Sequence, residues 1–242
     1  MRKKFGITGL DKMLSGGLKE ESTYLLIGPT GAGKTIVAAR FLLEGLLNGE
    51  NCLYIAVDKP PSIVLQNVIL GFGWNLSRLR VMDAVPSEML YSTAPSVRDI
   101  TAKGEISAAH KVENRIERGE LSVEGLVIKI LNDVKEKKYD RVVLDSLTVF
   151  KRFAVDESTA MQGVHRLFTF FPSIGATALI TASDEMNLKA ETLLSSGVIK
   201  IEKILTSSGY ERYIRILKMR GSDYDPKPKR MYITEDGIFV LR

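Results

Sequence analysis

The chain has 242 residues, 45% of them hydrophobic and 26% charged, with a formal net charge of +5. That length supports a sizeable core without disulfides or a structural metal, and a single cysteine, Cys52, in an apolar run excludes a disulfide framework and fits a reducing cytoplasm. No apolar run approaches a membrane span, the basic start at residues 1–5 lacks the apolar stretch of a signal peptide, and the charge is too mild to argue for nucleic acid by itself.

Taken in order, residues 24–27 read as an apolar strand, residues 28–35 as a glycine-rich turn, and residues 36–47 as a helix with apolar residues at helical spacing. A near-continuous apolar strand follows at 52–57, then a helix over 61–74 and a short strand at 80–82. Residues 86–121 are rich in charge and weak in pattern, which fits an irregular insertion with a helix near 106–118 or a flap. A helix is expected over 122–138, with Ser122 as N-cap and Val123, Leu126, Val127, Ile130, Leu131 and Val134 on one face. Strand 141–144, helix 158–171 and strand 176–181 complete an alternation that predicts a parallel sheet covered on both faces. The last quarter changes character: strands at 197–204, 212–219, 230–233 and 238–241 are separated by Ser207-Ser208-Gly209, Asp225-Pro226 and Asp236-Gly237. The expected fold is α/β in a single domain over 1–242, with a mostly parallel sheet, helices on both faces and antiparallel C-terminal strands.

The turn between the first strand and helix, Gly28-Pro29-Thr30-Gly31-Ala32-Gly33-Lys34-Thr35, spells a phosphate-binding loop. Such a turn aims backbone N–H groups and a helix N-terminus at one anion, and its glycines avoid a Cβ that would block the approach. Lys34 then reaches the β- and γ-phosphates of a nucleoside triphosphate, and the Thr35 hydroxyl ligates Mg2+. Phosphoryl chemistry also needs a carboxylate in the metal shell. Asp145 supplies one at the C-terminal end of the strand Arg141-Val142-Val143-Leu144, where open α/β sheets bind ligands. Asp58, at the end of the strand at 52–57, is placed either as the base that positions an attacking water or as a cap before Pro60-Pro61. Lys59 beside it would compete for that carboxylate or reach the phosphate. His110 and His165 are too isolated for a metal site or triad, and Phe168, Phe170 and Phe171 are expected in the core.

Several stretches together resemble KaiC-like ATPases of the RecA superfamily: Phe5-Gly6-Ile7-Thr8-Gly9-Leu10-Asp11, Leu14-Ser15-Gly16-Gly17-Leu18, the phosphate loop, Phe72-Gly73-Trp74-Asn75-Leu76, Val81-Met82-Asp83-Ala84, Val143-Leu144-Asp145-Ser146, Ile216-Leu217-Lys218-Met219-Arg220-Gly221 and Tyr232-Ile233-Thr234-Glu235-Asp236-Gly237-Ile238. The resemblance spans nearly the whole chain. It implies a RecA-like core, ATP and Mg2+ as ligands, and Lys34, Thr35 and Asp145 in the phosphate and metal roles. It also implies a nucleotide-dependent homo-oligomer, a hexameric ring being one form. Lys218 and Arg220 resemble the pair that a KaiC-like subunit inserts into its neighbour's site; residues at i and i+2 of a strand point the same way, so both could face one triphosphate. The other reading of the pair is a solvated basic strand edge.

Two departures qualify what the resemblance implies. Asp58-Lys59 stands where the family shows two glutamates, so slow hydrolysis, or ATP binding as a switch, is expected. Tyr224 stands about where clock-type members place a histidine, and with one phosphate loop rather than two tandem domains a circadian role does not transfer. An alternative is a recombinase-paralogue accessory protein binding single-stranded DNA through Lys227, Lys229 and Arg230. Residues 183–196, where recombinases carry DNA-binding loops, are mixed in charge and lack stacking aromatics. A small-molecule kinase would need an arginine-rich lid, for which there is no candidate.

Overall fold

In the computed structural model, which describes residues 1–84, 132–133, 138–153, 157–207 and 209–241, the apolar strand runs become the interior of one large sheet. The elements are β1 (Arg2–Lys3), α1 (Thr8–Met13), β2 (Leu18–Lys19), β3 (Thr23–Gly28), α2 (Lys34–Leu47), β4 (Cys52–Ala56), α3 (Pro61–Phe72), β5 (Arg80–Asp83), β6 (Arg141–Asp145), α4 (Leu147–Phe153), α5 (Glu157–Ser173), β7 (Thr177–Ser183), α6 (Lys189–Leu194), β8 (Gly197–Thr206), β9 (Gly209–Met219), β10 (Lys229–Thr234) and β11 (Gly237–Val240). The nine-stranded sheet has the order β11-β10-β9-β8-β3-β7-β6-β4-β5, and β1 pairs with β2 apart from it. From β8 to β5 neighbouring strands are parallel; β8-β9, β9-β10 and β10-β11 are antiparallel. This is the expected parallel sheet with an antiparallel C-terminal extension.

Alternate side chains of each strand point to opposite faces, so the sheet has two cores. Tyr24, Leu26, Tyr54, Ala56, Val143 and Leu179 pack with Leu10, Phe41, Leu42 and Val68 from α1, α2 and α3. Leu25, Ile27, Leu53, Ile55, Val142, Leu144 and Ile180 pack with Leu147, Val164, Leu167, Phe168 and Phe171 from α4 and α5. Because both faces are covered, β3, β4 and β6 are buried at every position, which explains their unbroken apolar runs. The extension is covered on one face only. Ile214, Ile216, Met231, Ile238 and Val240 join the first core, whereas Leu217, Tyr232 and Phe239 between them stay 40%, 37% and 49% exposed.

Boundaries shift where local chemistry overrides pattern. Helix α3 stops at Phe72 rather than 74, because Gly73 takes φ +63 and ends it. The β8–β9 hairpin is longer than expected: Leu205 pairs with Tyr210 and Thr206 with Gly209, so the ladder runs on to a tight turn, while Lys200, Glu202 and Arg215 line its outer face as ion pairs. The insertion at 86–121 and its helix near 106–118 lie outside the described residues, as does the helix over 122–138 apart from residues 132–133, which are helical, and Lys138.

At the opposite end of the sheet from the phosphate loop, one buried cation fastens three segments. Arg141 is 1% exposed; its Nε donates to Glu50 Oε2 at 2.5 Å, its Nη1 to the carbonyls of Lys4 and Phe41 at 2.5 and 2.9 Å, and its guanidinium lies 4.6 Å over the Phe41 ring. Burial would raise the Glu50 carboxyl, but Arg141 and Lys3 outweigh it and hold it below the ordinary glutamate range. A carboxyl depressed in the folded state contributes stability above its unfolded value, and that contribution is lost as the pH falls through its folded value. Glu50→Gln should therefore destabilise by roughly 3 kcal/mol at neutral pH, since it strands a buried cation, and should flatten the fall of Tm between neutral pH and the acid side of the glutamate range. Thermal melts of the two proteins across that range check it. Cys52 lies in the same region, and burial pushes its thiol up to about 12, so it is an inert core residue.

Candidate functional site

The phosphate loop leaves β3 at Gly28 and enters α2 at Lys34. Gly31 and Gly33 take φ +74 and +101, a region that side chains rarely adopt. A Cβ at Gly28 would lie 2.4 Å from the Ile201 carbonyl oxygen, so packing requires glycine there, whereas at Gly31 and Gly33 the backbone conformation does. Gly33 caps α2 with no side-chain hydrogen bond, which leaves the first-turn N–H groups facing the loop as an anion site. Lys34 Nζ donates to the carbonyls of Gly28 and Pro29 at 2.7 and 2.9 Å, curling its ammonium into the loop. Burial lowers the Lys34 pKa, opposed by the charges of Asp145, Asp184, Glu185 and Asp58 in falling order.

Four elements converge on Asp145, which is 9% exposed. Its Oδ2 accepts from the Thr35 hydroxyl and from the buried Tyr54 phenol, each at 2.8 Å, and its Oδ1 accepts from Thr181 Oγ1. The Thr35 hydrogen points at the carboxylate, so the lone pairs of its oxygen face away and can ligate a cation. That arrangement fits Mg2+ held by a hydroxyl, phosphate oxygens and water, with Asp145 beside it. Among the described residues no cluster of three or more His, Cys, Asp or Glu offers a metal a full protein cage. Tyr54 and Thr181 are site residues that the sequence reading missed. Their signal is positional: β4 and β7 flank β6, and Tyr54, Asp145 and Thr181 share the face that α2 covers. Burial, then the Asp145 charge, raises the Tyr54 phenol well above its ordinary value, so it remains a donor.

Asp58 and Lys59 are exposed just beyond β4. The Val57 and Asp58 N–H groups point at the Asp145 carbonyl, at 2.8 and 3.4 Å, which brings Asp58 to the site's rim. Of the four carboxylates acting on Lys34, it acts most weakly.

Lys218 and Arg220 are not gathered with the phosphate loop of their own chain. Lys218 pairs with Val198, which pairs with Leu25, and Arg220 N donates to the Ser196 carbonyl two residues lower. The loop departs at Gly28, so along the strand the pair sits about 10–16 Å below it. Lys218 Nζ donates to the carbonyls of Thr192, Leu193 and Ser195 at 2.5, 3.1 and 2.7 Å, and Arg220 Nη2 to Leu193 at 2.7 Å. Both side chains do point the same way. Among the described residues, cations beside the loop include Arg212, whose Nη2 is 3.5 Å from the Gly31 carbonyl, and Lys203. The length of the β8–β9 hairpin carries them there.

A cleft of about 240 Å³ lies between α2 and the β10–β11 turn, lined by Thr8, Arg40, Trp74, Asp236 and Phe239 among others. Ile233, which touches Gly33, leads into that turn, and Trp74 stacks on Phe72 at 4.7 Å. Elsewhere, Lys229 pairs with Asp225 at 3.3 Å and Arg230 with Glu211, so two of the three cations proposed for DNA are balanced inside the chain. Tyr224 is half-buried against the first core, His165 is exposed on α5, and His110 lies outside the described residues. Phe168 and Phe171 are buried and Phe170 partly so. No described helix is long and apolar enough to cross a membrane.

Comparison with known proteins places the chain in a family. The family model described as "ATPase: KaiC" matches residues 3–242. The chain is 28% identical over 231 residues to the circadian clock protein KaiC3 of Synechocystis sp., covering 90% of this chain and 41% of that one. Across three such clock relatives it spans 39–43% of their length. It is 27% identical over 240 residues to a UPF0273 protein of Methanopyrus kandleri and 26% identical over 244 residues to one of Thermotoga maritima, covering 90% and 95% of those chains. A solved KaiC-like protein from Pyrococcus horikoshii superposes with a TM-score of 0.78 at 22% identity, over 100% of this chain and 99% of the other, which shows the RecA-like fold. With its phosphate loop, its strand-end Asp145 and a family match over nearly its whole length, the chain belongs to the KaiC ATPase family.

Proposed function

We propose that this protein binds ATP with Mg2+ and hydrolyses it slowly, as a nucleotide-dependent oligomer whose site is completed by Lys218 and Arg220 of the neighbouring copy. The observation that carries the ATP reading is the 2.8 Å bond from Thr35 to Asp145 beside the inward-curled Lys34. Lys34 and the loop N–H groups hold phosphates, Thr35 ligates the metal, and Asp145 orients Thr35. The metal, when bound, neutralises charge on the phosphates. The cleft lined by Trp74, Arg40 and Asp236 pairs an aromatic side chain with polar groups, the chemistry a heteroaromatic base takes.

Slow turnover follows from Asp58, which is exposed, one methylene shorter than glutamate and adjacent to Lys59. Asp58→Glu combined with Lys59→Glu should raise the rate of phosphate release roughly tenfold, a part of the about 100- to 10,000-fold that a fully positioned base contributes, since Asp58 already supplies some of it. An unchanged rate would assign Asp58 to capping instead.

Shared-site catalysis is supported by the distance of Lys218 and Arg220 from their own loop, which leaves a neighbour as their route to a triphosphate. The test mixes two inactive proteins, Lys34→Ala and Arg220→Ala. Restored phosphate release in the mixture is expected, since one interface then combines an intact loop with an intact Arg220. Continued inactivity would overturn the shared site.

A further inference from the structure

The side chains offered to the neighbour rest on α6, and α6 is itself held by a buried ion pair. Lys151 lies on α4, the helix that begins directly after Asp145-Ser146, and α4 is fastened to the end of β7 by Thr148 Oγ1, which accepts from the Ser183 N–H at 2.9 Å. From there Lys151 Nζ reaches Glu191 Oε1 at 2.7 Å and the Asn187 carbonyl at 2.6 Å. Glu191 is 2% exposed, and its other carboxylate oxygen has no hydrogen-bond partner among the described residues. One turn further along, the last carbonyls of α6 and of Ser195 receive Lys218 and Arg220.

Each link has a physical reason to matter. A six-residue helix has no stability of its own, so α6 stays where its tertiary contacts put it. Glu191 in its first turn and two cations on its C-terminal carbonyls match the helix dipole at both ends. A buried carboxylate with one cation and one unsatisfied oxygen is a poor source of stability, since an apolar pair of similar volume would serve as well or better. What the ion pair does supply is a fixed direction and distance between α4 and α6.

We infer that Lys151 and Glu191 are positioning residues: by holding α6 against α4 they set where Lys218 and Arg220 are presented to the next copy. Lys218, with three carbonyl partners, completes this clamp from the other side. Arg220, with one bond to Leu193 and an exposed side chain, is the group left free to reach outward. The clamp therefore acts on the neighbour's site and not on its own. This inference rests on the shared-site reading above.

The experiment places the double substitution Lys151→Met with Glu191→Leu, which removes both charges together and so strands neither, on one partner of the complementing mixture at a time. On the copy that carries Lys34→Ala and supplies Arg220, it should lower kcat of the mixture roughly 10- to 100-fold, with KM for ATP unchanged. On the copy that carries Arg220→Ala and supplies the phosphate loop, kcat should stay within about twofold, because that placement leaves the donated cations and their clamp intact. Lys151→Arg on the Arg220-supplying copy, which keeps the ion pair, should hold kcat close to that of the unmodified mixture. Light scattering on each mixture confirms equal assembly, and Glu191→Gln replaces the double variant if that one does not fold. An equal fall in both placements, or no fall in either, overturns the positioning role while leaving the shared site standing. Failure of the unmodified mixture to turn over ATP overturns the shared site and this inference with it.

Discussion

Replacing Asp145 with asparagine is expected to raise the Mg2+ concentration needed for half-maximal phosphate release by roughly 10- to 100-fold, the scale on which groups that orient metal ligands act. Three hydroxyls, from Thr35, Tyr54 and Thr181, all donate to this carboxylate. An amide keeps one acceptor oxygen and presents an NH2 group to at least one of those hydroxyls, which must turn its hydrogen elsewhere. If Thr35 turns, its hydrogen points toward the cation rather than away from it. The fold should tolerate the change at a cost of about 1–3 kcal/mol, because the buried groups find partial replacements. Tyr54→Phe is the matched control: it removes one donor but leaves the Thr35 bond, and should shift the Mg2+ midpoint by less than about threefold. Phosphate release titrated with Mg2+ checks both proteins, and coincident titrations for Asp145→Asn and the parent would remove Asp145 from the metal shell.

Arg220→Ala should lower turnover about 1000-fold while ATP binding stays within a few-fold of the parent, the pattern of a cation that acts on transition-state charge rather than on ground-state affinity. Lys218→Ala should be the milder change. Lys218 Nζ holds three carbonyls at the end of α6, so its loss acts more by displacing Arg220 than by removing its own charge from the shared site. Single-turnover phosphate release together with equilibrium binding of a fluorescent ATP analogue separates the two effects. Equal losses for the two variants would make the Lys218 charge as important to the chemistry as that of Arg220.

How much of this was legible before the fold was seen depended on how local the signal was. The phosphate loop, its strand and its helix are contiguous, and residues 28–35 carry the glycines and the lysine that the geometry needs. Asp145 was legible because a carboxylate ends an otherwise apolar strand. Tyr54 and Thr181 were not: they read as ordinary strand residues until β4, β6 and β7 are paired in register, which brings together side chains up to 127 positions apart, and nothing in any one strand encodes that pairing. Helix α6 went unseen because six residues carry less than two turns of periodicity. Lys203 and Arg212 lie on the face of the β8–β9 hairpin opposite its row of ion pairs, and their reach to Gly31 emerged only from the strand register. Lys218 and Arg220 were correctly expected to point the same way; that their own α6 receives them is a tertiary fact.

The central claim is that ATP joins copies of this chain into a slowly turning assembly. Size exclusion with light scattering, run with ATP and Mg2+, with ADP and with no nucleotide, tests it most directly when phosphate release is measured on the same fractions. The expected result is a mass several times 26.9 kDa with ATP, a smaller mass without nucleotide, and slow phosphate release confined to the large species. A mass of 26.9 kDa under all three conditions, with no phosphate released, would contradict it.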